Sequence, residues 1–82
     1  MSEKKIVVLQ RGWVVVGEFS KDGHEIVVSN ASVVRRWGTT KGLGEIAEGG
    51  PTSSTVLDKC GTVRAHEQTV VMIIDCNQDK WN

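Results

Sequence analysis

The sequence predicts a mainly β (α+β) fold: a small twisted antiparallel sheet or partly open barrel of about five strands, with one short helix. Three observations lead there. Apolar, largely β-branched residues cluster in short runs at 6–9, 13–16, 26–28, 33–34, 56–57 and 70–74, and such runs favour strands. Gly, Asp, Asn and Ser separate them, which are the residues that turn a chain. Helical periodicity is confined to one segment, where Leu43, Ile46 and Ala47 fall at i, i+3 and i+4.

The elements follow in order. Lys5–Leu9 is the first strand, bending at Gly12 and continuing through Trp13–Phe19. Ser20–Gly23 reads as a hairpin turn, because Asp-Gly supplies the positive φ angles that tight hairpins need. The return strand is His24–Ser29, Asn30 marks a bend or bulge, and Val33–Trp37 resumes the strand. A helix is expected over about residues 41–48, with Gly49 as its left-handed C-cap and Pro51 barring continuation. A loop at 51–55 leads to strand pieces Val56–Cys60 and Thr62–Ala65 around Gly61, and Thr69–Cys76 closes the sheet. Residues 77–82 form a polar tail in which Trp81 is a docking anchor that could bind a neighbouring subunit.

Residues 1–82 read as a single small β-rich domain. A chain of this length buries only about 60% of its unfolded surface. Val70–Ile74 is apolar at every position, whereas a half-solvated strand alternates. That strand is therefore expected to be central or buried between subunits, and the small domain size favours a homo-oligomer.

Ten basic and ten acidic side chains leave no net charge, which argues against a nucleic-acid binder working by phosphate neutralisation. The apolar run after the charged start covers only Ile6–Leu9, too short for a signal core or a membrane span. Cys60 and Cys76 then read as reduced thiols in a cytoplasmic protein. With His24 and His66 they form no CxxC or HxxxH spacing, so neither metal nor cofactor is expected. Cys60 and His66 could meet as a nucleophile and base, but a small buried hydrophobe is the better role for either cysteine. The carboxylates are scattered, and no catalytic residue is expected.

The stretch VVRRWGTTKGLGEIAEGG at 33–50 is where binding chemistry concentrates. Arg35 and Arg36 are strand neighbours and point to opposite faces; Trp37 shares the side of Arg35. Arginine offers phosphate a planar fork of donors, and a tryptophan beside it can stack a base for about 1–3 kcal/mol. Thr39 and Thr40 add hydroxyls, and Lys41 adds an ammonium at the expected helix start, where backbone N–H groups favour an anion. Lys41 and Glu48 both oppose the helix dipole, at about 0.3–1 kcal/mol each; a bound phosphate would explain the lysine. Arg64 is either a further cationic arm or a cross-strand partner for an acid. The plain alternative is a solvated face with a core-capping tryptophan. GTTKG is not a Walker A loop, so nucleotide hydrolysis is not indicated. Trp13 reads as core or barrel rim.

In VVSNAS, RRW, GLGEIAEGG and GTVRAHEQTVVMIIDC the chain resembles a group of short phage-encoded β-rich proteins. The matching positions are Asn30 and Ala31, Arg36 and Trp37, Leu43–Ala47 and Ile73–Cys76. At greater distance it resembles phage anti-defence sponges, small oligomeric β-rich proteins that sequester cyclic-nucleotide or cyclic ADP-ribose immune signals. The resemblance implies a non-enzymatic protein acting in the host cytoplasm on an anionic nucleotide ligand. A protein-interaction module, structural or occluding a host protein, is the alternative, using the Val70–Ile74 edge and exposed tryptophans.

Overall fold

The computed structural model describes residues 3–81; residues 1, 2 and 82 of the expected domain and tail lie outside them. Five strands form one antiparallel sheet: β1 (Lys4–Leu9), β2 (Val14–Asp22), β3 (Glu25–Arg36), β4 (Val56–His66) and β5 (Val70–Asp75). Their spatial order is β4-β3-β2-β1-β5. One helix, α1 (Leu43–Gly49), interrupts the passage from β3 to β4.

The connection from β4 to β5 dictates the shape. It runs from one edge of the sheet to the other through only Glu67–Thr69, a 3-10 turn. Edges of a flat five-stranded sheet lie about 19 Å apart, whereas four Cα steps reach about 15 Å at most. The sheet is therefore curled at that end, where Glu67 N–H donates to the His24 carbonyl at 2.7 Å. The sheet does not close into a barrel.

Curling buries both faces without a second sheet. On one, Ile6, Val14, Val16 and Val34 pack with Leu43, Ile46 and Ala47 of α1 and with Cys76 and Trp81. On the other, Val7, Val15, Ile26, Val28 and Ala31 are buried, with Phe19, Val63, Ala65 and Val70 folding over them. Alternating valines in β2 thus serve two cores at once. Burial in the first pushes the Cys76 thiol up to about 11.

The expected first strand does not continue through Gly12: the turn Gln10–Gly12, with Arg11 and Gly12 at positive φ, reverses the chain, so β1 and β2 are two antiparallel strands. Asp22 pairs with Glu25, so the hairpin loop is Gly23-His24, with Gly23 at φ 62 as a II′ turn requires. Asn30 does mark a bulge, at φ 49, but β3 runs on through it. The pieces around Gly61 are likewise one continuous strand. The helix starts at Leu43, two residues late, and Gly50 rather than Gly49 is the left-handed cap, its N–H donating to Ile46 O at 2.8 Å.

Two corrections matter more. β5 is an edge strand and not a central one, and Val71, Met72 and Ile73 are 61%, 51% and 42% exposed. Trp81 is buried within its own chain, so it is not available to a neighbouring subunit. Its indole N–H donates to the Ile46 and Ala47 carbonyls at 2.9 and 3.3 Å, satisfying the open end of α1. The tail before it is fixed by Gln78, which accepts from Lys4 N–H at 2.8 Å and donates to Lys4 O at 2.9 Å. No helix among the described residues is long and apolar enough to cross a membrane.

Candidate functional site

The expected binding residues split into three groups. Arg36, Trp37, Thr40 and Lys41 lie together at the end of β3 and in the following loop. Arg36, Thr40 and Lys41 are exposed or nearly so, and Trp37 is 44% exposed. Neither Arg36 nor Lys41 has an acidic group within ion-pair distance among the described residues.

Arg35 is beside them in sequence but differently engaged. Its Nε lies 3.0 Å from Asp58 Oδ2 across the β3–β4 pair, at the register shift between Val34 and Arg36. There it lines an open groove of about 500 Å³ with Trp13, Val33 and Cys60. Trp13, 59% exposed, is a rim residue; its neighbour Val14 is the one facing the core. The structure thus gives Arg35 a different aromatic neighbour from the expected Trp37.

Arg64 stands apart. It pairs with Val27, whereas Arg36 pairs with Val56; nine residues of β3 separate those positions, up to about 30 Å. Its Nη1 is 3.7 Å from both Asp22 and Glu25, so it is the cross-strand ion partner and not an arm of the loop.

The loop owes its order to hydroxyls rather than to apolar contact. Thr39 Oγ1 donates to Gly42 O at 2.8 Å, Thr52 Oγ1 to Gly38 O at 3.1 Å, and Thr55 Oγ1 to Trp37 O at 2.7 Å. The Thr39 hydroxyl is therefore committed to the loop, leaving Thr40 as the free one. Gly38 makes the closest approach: it has φ 70, and a Cβ there would sit 2.4 Å from the Ser54 carbonyl carbon.

Lys41 does not stand at a helix start. Lys41 precedes the N-cap Gly42 and is outside α1, which is seven residues long. The first turn carries Glu45, the favourable sign for the dipole. Lys41 shares a shallow groove with Glu45 and Glu48. What remains of the expected site is a loop presenting one tryptophan and two cations that have no ion-pair partner among the described residues.

His24 and His66 come together, their rings stacked 6.2 Å apart. Glu67 is 2.6 Å from His24 Nδ1 and 2.7 Å from Lys21 Nζ; hydrogen bonds from these two groups hold its carboxyl down at about 2. Among the described residues no group of three His, Cys, Asp or Glu is placed to hold a metal ion, and Cys60 and Cys76 are both free.

No protein-family model matches the chain, and no curated protein matches its sequence.

Proposed function

We propose that the chain is a non-enzymatic phage anti-defence protein that sequesters a negatively charged nucleotide signal of the cyclic-nucleotide or cyclic ADP-ribose type. The carrying observation is the 36–42 loop, where half-exposed Trp37 stands between two cations with no acidic partner among the described residues. Arg36 and Lys41 would hold phosphates, Trp37 would stack the base, and Thr40 would donate a hydrogen bond. The threonine bonds to the loop backbone favour preorganisation, which reduces the ordering cost of binding. The resemblance to phage proteins supplies the biological setting, the host cytoplasm.

The protein acts as a homo-oligomer in this reading. The apolar β5 edge supports that, since an exposed apolar edge strand is a template for pairing with another chain. The same edge favours the second reading, a protein-interaction module that occludes a host protein through β5 and Trp13.

A thermal-shift screen against cyclic di- and trinucleotides, cyclic ADP-ribose isomers and linear nucleotides tests the first reading. A ligand at about 100 times its Kd adds about 2.7 kcal/mol, which raises the melting point of so small a domain by about ten degrees or more. The shift is expected with one ligand class and lost in Arg36→Ala and Lys41→Ala variants that melt normally without ligand. No shift with any ligand rejects nucleotide capture and leaves the protein-interaction module.

A further inference from the structure

Lysine charge also gathers away from the loop. Two pockets, of about 150 and 440 Å³, share Lys4, Asn30 and Ser32 in their walls; Lys80 and Trp81 line the smaller, and Lys59 the larger. The lysines arrive from β1, β4 and the tail, and the register explains two of the placements. Ser32 pairs directly with Lys59, and Lys4 sits on the strand whose partner β2 pairs in turn with the bulged part of β3. The bulge at Asn30, with its left-handed φ of 49, puts an amide side chain at the pocket wall, and bulges commonly re-aim side chains beside binding sites.

None of the three ammonium groups has a carboxylate within ion-pair distance among the described residues. Glu18 is the acid nearby: it lies across from Lys4 in register and accepts from Asn30 Nδ2 at 2.9 Å. The Ser32 hydroxyl has no hydrogen-bond partner among the described residues. Converging like charges repel unless an anion joins them, and ammonium, amide and hydroxyl groups are the donors an oxyanion takes. The smaller pocket is below the roughly 300–1,000 Å³ of sites that hold drug-sized molecules, so its occupant is compact.

We propose that these two pockets, which share a wall, together hold a phosphate group, with Lys4 common to both, Lys80 supplying charge from the smaller and Lys59 from the larger, and Ser32 and Asn30 supplying directed donors. The group is either a free inorganic oxyanion or the terminal phosphate of a nucleotide. This site lies outside the 36–42 loop and does not depend on the reading of that loop.

Calorimetric titration at low ionic strength with inorganic pyrophosphate and, separately, with ADP tests it. Saturable binding is expected, weakened about tenfold or more in the Lys59→Met/Lys80→Met double variant and unchanged in Arg36→Ala/Lys41→Ala. Pyrophosphate binding alone identifies a free oxyanion; ADP binding with the same dependence on Lys59 and Lys80 identifies a nucleotide-borne phosphate. The proposal is overturned if neither probe saturates, or if the double variant binds as the unaltered protein does. It is also overturned if only the loop variant loses binding, a result that leaves the loop reading standing. Lys59 and Lys80 are exposed, so the double variant is expected to melt normally; should it not, Ser32→Ala and Lys59→Met alone carry the test.

Discussion

The two edges of the sheet follow opposite plans. β4 carries Asp58, Lys59, Arg64 and His66 along its length, and its register with β3 shifts in three places. β5 has no charged side chain from Val70 to Ile74 and leaves three large apolar residues in solvent. Charges and bulges are the devices by which sheets discourage edge pairing. One edge is thus defended along its whole length and the other is open until Asp75. β4 carries charges along its length and β5, up to Asp75, carries none.

The most drastic way to break this arrangement is to loosen the cover that α1 and the tail lay over β1 and β5. Trp81→Ala removes a buried indole and its two bonds to helix carbonyls, and is expected to lower stability by about 3–5 kcal/mol. Hydrogen exchange is expected to quicken in α1 and β5 before the β3–β4 ribbon, as chemical denaturation with peptide-level exchange would show. Equal loss of protection at both edges would contradict the asymmetry.

A more selective test places one charge on each edge. Ile73→Lys on β5 is expected to reduce sedimentation mass to that of a single chain, while Thr62→Lys on β4 leaves it unchanged. Both positions are exposed, so neither change should alter the melting point of the monomer by more than about 0.5 kcal/mol of stability. A monomeric unaltered protein would remove the oligomer from the proposed function.

The smallest effect concerns the turn that joins the edges. Glu67 has its folded carboxyl lowered from about 4.5 to about 2 by Lys21 and His24. A depressed acid contributes stability above its unfolded value, and that contribution fades as pH falls from about 4.5 through 2. Glu67→Gln is expected to flatten this part of the acid limb in a melting-point series from pH 5 to 2. Because the group is solvent-screened, the change should be slight.

Much of the fold was legible in local signals. Valine runs place the strands, Asp22 and Gly23 announce the hairpin, and Asn30 tolerates the left-handed backbone of the bulge. The errors arise where a pattern means different things in different surroundings. Val70–Ile74 is apolar at every position as a central strand would be, yet pairing order, which no short window contains, puts it outside. The cationic stretch at 35–41 is contiguous in sequence, but Arg35 is taken up by Asp58 on the neighbouring strand, at a register shift that no short window shows. Arg64 lies far along the ribbon. Lys4, Lys59 and Lys80 carry no spacing signal, since only the register and the docking of Trp81 bring Lys4 to one pocket wall with Lys80 and to another with Lys59. Trp81 itself needed knowledge of where α1 would expose its last carbonyls.

The pairing of β1 with both β2 and β5 has a consequence for how the chain is made. Ile6 and Val7 are fully buried, yet one of the two strands flanking them, the one holding Asp75 opposite Lys5, is synthesised only after the other four. Strands β1 to β4 can pair with their successors as they leave the ribosome, while the outer side of β1 waits. During that interval an unpaired valine-rich strand is open to other nascent chains. Arrival of β5, more than any local turn, is then the event that commits the sheet to its native form.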